Sequence, residues 1–218
     1  MTNRPTLLAV AHGTRSATGQ RQIRDLVAAV AHRRPELDIR LSYVDVQQPR
    51  VGSVVPLVGD AVVVPLLLSA GYHVHVDISN VVRDTGLVVT GTLGPDDVLL
   101  ESLTRYLPAA ADAVVLAAAG SSDPAWRASI DEMASRIPGG AHVAYASGSD
   151  PKVADVVTRL RRQGAKRIAI AAYLLADGLF YRTLHRAGAD WVTPPLCLDP
   201  AAPGLVLRRY ESAVLAAA

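Results

Sequence analysis

The second half of this chain repeats the first, and that duplication limits the folds open to it. Four segments of the first half each have a counterpart in the second: residues 11–15 and 119–122, 43–49 and 145–151, 67–71 and 174–178, and 90–97 and 193–200. The period is about 100 residues, which is far too long for a solenoid repeat and is typical of a duplicated domain. We therefore predict two similar domains, residues 1–108 and residues 109–218, with the boundary near Pro108.

Both halves alternate short apolar runs with segments of helical periodicity. We predict strands at residues 6–11, 39–46, 62–68, 87–90, 112–118, 142–146 and 168–174. Strands that alternate with helices form parallel sheets with right-handed crossovers. The predicted fold class is α/β, with two similar domains, each a small parallel sheet flanked by helices, and a cleft between their strand ends.

Helical signals fill the segments between the predicted strands. Ile23, Leu26, Val27 and Val30 form one apolar stripe, and Pro35 ends that helix. Shorter helices are predicted at residues 51–58 and 98–106, and the Asp-Pro pairs at 123–124 and 150–151 are predicted to open two more. The segment after residue 49 is shorter than its counterpart after residue 151, which predicts that the first half has lost more than one turn of this helix.

Composition and charge exclude several classes of protein. The net charge of +2 is small, and no basic run is interleaved with aromatic residues, so we expect no nucleic-acid partner. The longest apolar stretch, residues 61–70, is interrupted by Pro65 and is far shorter than the roughly 20 residues of a membrane helix. The N-terminus lacks the pattern of a signal peptide, and the single cysteine, Cys197, excludes an internal disulfide. We expect a soluble, cytoplasmic protein with no membrane partner.

Two histidines, His12 and His73, each lie just beyond one of the apolar runs. The carboxyl ends of parallel strands are where α/β proteins bind ligands, and imidazole both binds borderline metals and accepts protons near neutral pH. The second half has Ala119 and Phe180 at the corresponding positions, so the fold does not need histidine there. The alternative interpretation is that each histidine only caps a strand end and bonds to the backbone.

Four segments of the first half carry a resemblance to a known family. Residues 12–15 read His-Gly-Thr-Arg, residues 43–49 read Tyr-Val-Asp-Val-Gln-Gln-Pro, residues 64–78 run from Val-Pro-Leu to His-Val-Asp-Ile, and residues 93–95 read Leu-Gly-Pro. With these motifs the chain resembles the long, duplicated form of the CbiX/SirB family, the class II tetrapyrrole chelatases. The resemblance implies insertion of a divalent metal, Fe2+ or Co2+, into sirohydrochlorin, giving sirohaem or a cobalamin precursor. The metal would be a substrate, with Ni2+ left open as a third choice, and no organic cofactor is implied.

The resemblance also implies roles for individual residues. His12 and His73 fall on the two metal-binding histidines of the family, which we expect to hold the metal and accept the pyrrole protons. Asp45 stands where the family usually carries glutamate, and it is either a third metal ligand or a solvated aspartate. Arg50 and Arg83 are further candidates for binding the carboxylates of sirohydrochlorin. The expected substrate-binding residues are Arg15, Ser69, Gly71, Tyr72 and His75.

Two other functions stay open at this point. One is a non-catalytic carrier of the metal or the tetrapyrrole, which would keep the fold and the histidines without turnover. The other is a histidine phosphatase, which needs an arginine directly before its histidine, where this chain has Ala11. The duplication makes a monomer sufficient, because each half can supply one wall of a cleft, and a dimer is not excluded.

Overall fold

Two four-stranded parallel sheets form the framework of the chain. The computed structural model describes residues 4–69, 78–121 and 123–217. The first sheet contains β1 (Thr6–Ala11), β2 (Ile39–Tyr43), β3 (Ala61–Leu66) and β4 (Val88–Val89), in the order β2-β1-β3-β4. The second contains β5 (Ala113–Ala118), β6 (His142–Tyr145), β7 (Ile168–Tyr173) and β8 (Trp191–Val192), in the order β6-β5-β7-β8. The repeated strand order confirms the predicted α/β class and the duplication.

Helices connect and cover the strands. In chain order they are α1 (Ala17–Arg33), α2 (Val51–Val54), α3 (Asp97–Arg105), α4 (Pro124–Arg136), α5 (Val153–Arg162), α6 (Leu179–Leu184) and α7 (Ala202–Ala217). Single 3₁₀ turns occur at Val55–Leu57 and Leu196–Leu198, and residues 78–82 are also helical. Helix α2 has four residues where its counterpart α5 has ten, which confirms the predicted loss of more than one turn. No helix in the described parts of the chain is both long and apolar enough to cross a membrane.

Local sequence explains where the helices that follow the central strands β1 and β5 begin. The hydroxyl of Ser16 accepts a hydrogen bond from the backbone N–H of Gly19 at 3.3 Å, which caps α1 directly after the first strand-end turn. In the second half the carboxylate of Asp123 accepts from the N–H of Ala125 at 2.9 Å, and Pro124 occupies the first helical position. The predicted Asp-Pro start of α4 is therefore confirmed.

Three boundaries predicted from the sequence are wrong by two residues or more. Strand β3 ends at Leu66 rather than at residue 68, and the other two boundaries lie in the turn after an edge strand. The sequence predicts that β2 continues to Val46, but the strand ends at Tyr43, where the chain turns back and the carbonyl of Pro49 accepts from the backbone N–H of Tyr43. The Asp-Pro pair at 150–151 predicts the start of a helix, but α5 begins at Val153 without a side-chain cap. The reason is the same, since the carbonyl of Pro151 is already bonded to the N–H of Tyr145.

The compact units of the structure divide the chain differently from the sequence repeat. The first unit runs to Gly94 and resumes at Pro200, while the second comprises Pro95–Asp199. The two divisions differ because each half of the sequence contributes its last helix to the sheet of the other half. Helix α3 contacts β7, and helix α7 contacts β3 and α1.

Specific contacts hold each exchanged helix in its unit. The hydroxyl of Tyr210 in α7 donates to the carbonyl of Pro5 at 2.6 Å, just before β1. In the second unit the guanidinium of Arg105, at the end of α3, donates to the carboxylate of Asp199 at 2.8 Å. That carboxylate is only 2% exposed, so the ion pair compensates a charge that has been removed from water.

Replacement of Leu205 tests the position of α7 in the first unit. Leu205 is 2% exposed, so Leu205→Ala should lower the free energy of unfolding by about 2–5 kcal/mol. Leu215 of the same helix is 78% exposed, and Leu215→Ala is the matched control, expected to change stability by no more than about 0.5 kcal/mol. Denaturant unfolding measures both. For Leu205→Ala, native-state amide hydrogen exchange should be faster in β1 and β3. Faster hydrogen exchange confined to β5 and β7 would contradict the assignment of α7 to the first unit.

Candidate functional site

The candidate site lies at the carboxyl end of the first sheet. Strand β1 lies between β2 and β3, and its last residue, Ala11, pairs with Tyr43 on one side and Leu66 on the other. The chain after β1 enters α1, and the strand order reverses at β1, which is the position where open α/β sheets bind ligands. His12, the loop that begins at residue 44 and residues 67–69 therefore leave the sheet at one edge.

The structure describes only part of the predicted set of site residues. His12, Arg15, Asp45 and Ser69 are described, whereas His73, Gly71, Tyr72 and His75 lie outside the described residues. His12 is exposed, and its Nδ1 atom lies 3.3 Å from the carbonyl oxygen of Gly13. Ser69 is half-buried.

Backbone hydrogen bonds join the turn after β1 to the loop after β2. The N–H of Val44 donates to the carbonyl of Ala11, and the N–H of Asp45 donates to the carbonyl of His12, both at 2.9 Å. We call these two bonds and the close approach of Gly13 to the carbonyl of Asp45 the backbone clasp. The clasp makes His12 and Asp45, which belong to two different chain segments, neighbours at the end of the sheet.

Gly13 makes the backbone clasp possible. Its φ of +98° lies in the left-handed region, which residues with a Cβ rarely adopt. A Cβ atom built on Gly13 would lie 2.0 Å from the carbonyl oxygen of Asp45. Glycine is therefore required both by the conformation and by the close approach of the second segment.

Asp45 forms an ion pair beside His12. The guanidinium of Arg50 donates to Oδ1 of Asp45 at 2.7 Å and to the carbonyl of Val44 at 2.8 Å. This hydrogen bond from Arg50 is the main cause that lowers the pKa of Asp45 below its usual value, with smaller contributions from the N–H of Val46 and the charge of His12. Asp45 is therefore ionised at neutral pH, and Arg50 is bonded to it rather than being a free cation for substrate.

Two glutamines that the sequence analysis did not select support the turn after β1. The side-chain oxygen of Gln47 accepts from the backbone N–H of Thr14 at 2.9 Å, and the amide of Gln20 donates to the carbonyl of Thr14 at 2.8 Å. The sequence points to Gln47 only through its position, because Gln47 lies within the motif at residues 43–49. The exposed Arg15 follows Thr14 and precedes α1, whose first turn carries no acidic residue.

The second copy repeats this backbone without its chemistry. The N–H of Ser147 donates to the carbonyl of Ala119 at 3.0 Å, just as Asp45 bonds to His12. Gly120 has a φ of +109°, and a Cβ there would lie 2.2 Å from the carbonyl of Ser147. The clasp is thus a property of the fold, whereas the imidazole and the carboxylate are particular to the first copy.

Among the described residues, no group of three or more His, Cys, Asp or Glu side chains is placed to hold a metal ion. The part of the site that is described contributes one imidazole, from His12, and one carboxylate, from Asp45. These are a nitrogen and an oxygen donor of the kind that binds borderline divalent metals such as Fe2+, Co2+ and Ni2+.

Comparison with known proteins identifies the family. The CbiX family model matches residues 6–109 and, a second time, residues 113–212. The chain belongs to the CbiX family. The two matched segments coincide with the two halves of the sequence repeat, and the resemblance drawn from the motifs is confirmed. No curated protein matches the chain.

Solved structures share the fold of this CbiX-family chain over nearly its whole length. SirB from Bacillus subtilis with Fe3+ has 18% sequence identity and a TM-score of 0.79, covering 99% of this chain and 97% of its own. SirB from Bacillus subtilis subspecies spizizenii in complex with cobalt has 17% identity and a TM-score of 0.75, covering 98% and 96%. CbiX, the terminal enzyme for biosynthesis of sirohaem in denitrifying bacteria, has 20% identity and a TM-score of 0.71, covering 95% and 99%.

Alanine substitution of Gly13 tests the backbone clasp. Gly13→Ala should destabilise the protein by at least about 1–3 kcal/mol, because the φ of +98° and the approach of Asp45 both oppose a Cβ. Gly120→Ala should cause a similar loss in the second copy, while only Gly13→Ala should also weaken binding of Co2+. Gly59→Ala is the control, since a Cβ there meets no atom within 4 Å. Equal stability of the Gly13 and Gly59 variants would contradict this account.

Replacement of Arg50 tests the ion pair with Asp45. Arg50→Gln should raise the pKa of Asp45 toward its usual value. The pKa is measured by ¹³C NMR of the Asp45 side-chain carboxyl group. A lowered pKa in the folded state contributes stability above the unfolded pKa that is lost as pH falls through the folded pKa. The variant should therefore lose less stability on acidification. Arg40→Gln, which removes an ion pair with Asp38 of comparable exposure, should leave the pKa of Asp45 unchanged. An unchanged pKa in Arg50→Gln would refute the pairing.

Proposed function

We propose that this protein is a sirohydrochlorin chelatase that inserts Fe2+ or Co2+ into sirohydrochlorin. Membership of the CbiX family supports this activity, and so do its structural neighbours, one with Fe3+, one with cobalt and one a terminal enzyme of sirohaem biosynthesis. The proposal places the enzyme in the cytoplasm, acting as a monomer and without an organic cofactor.

The comparison of His12 with Ala119 carries the proposal. Both residues occupy the same place in the same backbone clasp, directly after a buried central strand. A histidine that only capped the strand would be needed equally in both copies. Histidine occurs only in the copy that also carries an ionised carboxylate, Asp45, beside it. This favours a chemical role for the pair.

Metal insertion demands that two pyrrole N–H protons leave while the metal exchanges water for ring nitrogens. In the proposed mechanism His12 and His73 hold the metal ion at the face of the macrocycle, and each accepts a pyrrole proton once it has released the metal to the ring nitrogens. The carboxylate of Asp45 offsets part of the charge of the metal and completes its protein ligands. The role of His73 rests on the sequence motif, because it lies outside the described residues.

Binding of the substrate requires cations for its carboxylates. Arg15 suits this role because it is exposed and bonds to no side chain in the described part of the protein. It also stands at the N-terminus of α1, where unpaired backbone N–H groups attract anions. We assign Ser69, Gly71, Tyr72 and His75 to the same substrate site on the strength of the motif. Imidazole and carboxylate ligands suit iron, cobalt and nickel alike, so availability in the cell would decide the metal.

One observation favours a second candidate function. Arg50 already neutralises Asp45, and Asp45 is one methylene shorter than the usual glutamate of the family. A carboxylate held in this way could leave the site able to bind metal or pigment but slow in turnover. The protein would then be a carrier that transfers its ligand once per binding event.

Substitution of the two histidines tests the proposal. His12→Ala and His73→Ala should each lower the rate of insertion by about 10²-fold or more, because a ligand and proton acceptor is lost. The fold should persist in His12→Ala, since Ala119 occupies the same backbone position in the second copy. His142→Ala is the control, because His142 is an exposed histidine of the second unit. Anaerobic absorbance spectroscopy with sirohydrochlorin and Fe2+, Co2+ or Ni2+ measures the rates.

Three outcomes of this assay are distinguishable. Catalytic conversion by the wild type and its loss in both histidine variants would support the chelatase. Pigment binding with a single stoichiometric transfer would favour the carrier. Full insertion activity in both variants would overturn the assignment of the histidines.

A further inference from the structure

A pocket of about 510 Å³ lies within the first unit, between α1 and the loop after β2. Its lining includes Gln20 and Arg24 from α1, Tyr43 from the end of β2, and Val46 and Gln47 from the loop. The loop residue next to Val46 is Asp45, so the pocket adjoins the candidate metal site.

One cation and two amide groups of the pocket are available as hydrogen-bond donors. Arg24 is exposed and forms no hydrogen bond or ion pair within the described residues. The side-chain oxygens of Gln47 and Gln48 are occupied by the backbone N–H groups of Thr14 and Arg50, which leaves both NH₂ groups as donors. The lining contains no aspartate or glutamate. A cation with amide donors and no acid is complementary to a carboxylate.

Val46 gives the rim of the pocket an apolar side chain at a conformational cost. Its φ is +66°, a conformation that is unusual for any residue with a Cβ and an outlier for a β-branched one. Its counterpart in the second copy is Gly148, with a φ of +63°, which is the residue that this backbone favours. Val46 is nevertheless 41% exposed, so its side chain is not retained for the core.

The second copy carries residues of different charge at the equivalent positions of its helix. Asp131 stands where the first copy has Arg24, and Arg127 stands where it has Gln20. The guanidinium of Arg127 lies 5.4 Å from the centre of the Tyr145 ring, which corresponds to Tyr43. Burial raises the pKa of the Tyr145 hydroxyl, the charge of Arg127 lowers it and the charge of Asp131 raises it, so both charges act on this tyrosine. In the second copy the cation is thus placed over the tyrosine ring and an aspartate stands at position 131, whereas in the first copy Arg24 is exposed and has no acidic residue in its pocket.

We propose that this pocket binds one alkyl carboxylate arm of the tetrapyrrole substrate. Arg24 and the free amide groups of Gln47 and Gln48 bind the carboxylate, while the exposed side chain of Val46 contacts the methylene groups of the arm. This inference rests on the proposed function, since it names a second contact for the same substrate beside the site of metal insertion.

Neutralisation of Arg24 tests the inference against a matched control. Arg24→Gln should raise the KM for sirohydrochlorin, and the Kd for the metal-free pigment in an absorbance titration, by about tenfold, as expected for loss of one charge-assisted hydrogen bond. Arg21→Gln removes the same charge from an exposed position of α1 that does not line the pocket, and it should change both constants less than twofold. Equal effects of the two variants would refute the proposal that this pocket binds the substrate.

The outcomes separate this inference from the proposed function. If the wild type inserts metal and Arg24→Gln behaves like Arg21→Gln, the pocket fails and the chelatase stands. If the wild type binds pigment without turnover, the chelatase fails, and the Kd values still decide the pocket. If the wild type binds no pigment, both are overturned.

A second pair of variants tests Val46 itself. Val46→Gly should raise the midpoint of thermal unfolding, because glycine adopts this φ without strain, and should weaken pigment binding. Gly148→Val is the reciprocal change in the second copy and should lower the midpoint without altering pigment binding. Val46→Gly with unchanged affinity for the pigment would remove Val46 from the pocket.

Discussion

The backbone clasp between the ends of β1 and β2 is the constraint on which the rest of the site depends. The carbonyl of His12 accepts from the N–H of Asp45 at 2.9 Å, and the carbonyl of Asp45 fills the space that a side chain on Gly13 would need. The clasp brings an imidazole and a carboxylate together through main-chain bonds, which do not depend on either side chain. The side chains at these two positions can therefore change without loss of the scaffold, and the second copy shows that they have.

Duplication gives the protein its own internal comparison. Strand order, the positive φ at Gly13 and Gly120, and the turn that pairs an edge tyrosine with a proline carbonyl occur twice. What differs is the chemistry placed on them: histidine against alanine, aspartate against serine, and arginine against aspartate in the first turns of the following helix. Such differences on one backbone separate what folding requires from what the proposed reaction requires. The exchange of the last helices means that neither half of the sequence completes its own unit.

The sequence predicts the parts of the fold that depend on local patterns. Buried central strands are continuous apolar runs, so the position of His12 directly after β1 could be read from the sequence, and so could the Asp123-Pro124 start of α4. The loop after β2 could not, because its path is set by bonds to the end of β1, and Val46 adopts a conformation that valine does not favour. The pairing of Arg50 with Asp45 and the position of Arg24 in the pocket beside the loop likewise follow from tertiary structure. The roles of His73, Gly71, Tyr72 and His75 stay predictions.

The central claim is that the first copy alone carries a metal site and that His12 is part of it. Isothermal titration with Co2+, without pigment, tests this most directly, on the wild type and on His12→Ala. The account predicts one equivalent of Co2+ per wild-type chain and a large loss of affinity in His12→Ala, where the backbone is preserved. Two equivalents of similar affinity, or unchanged binding by His12→Ala, would contradict it.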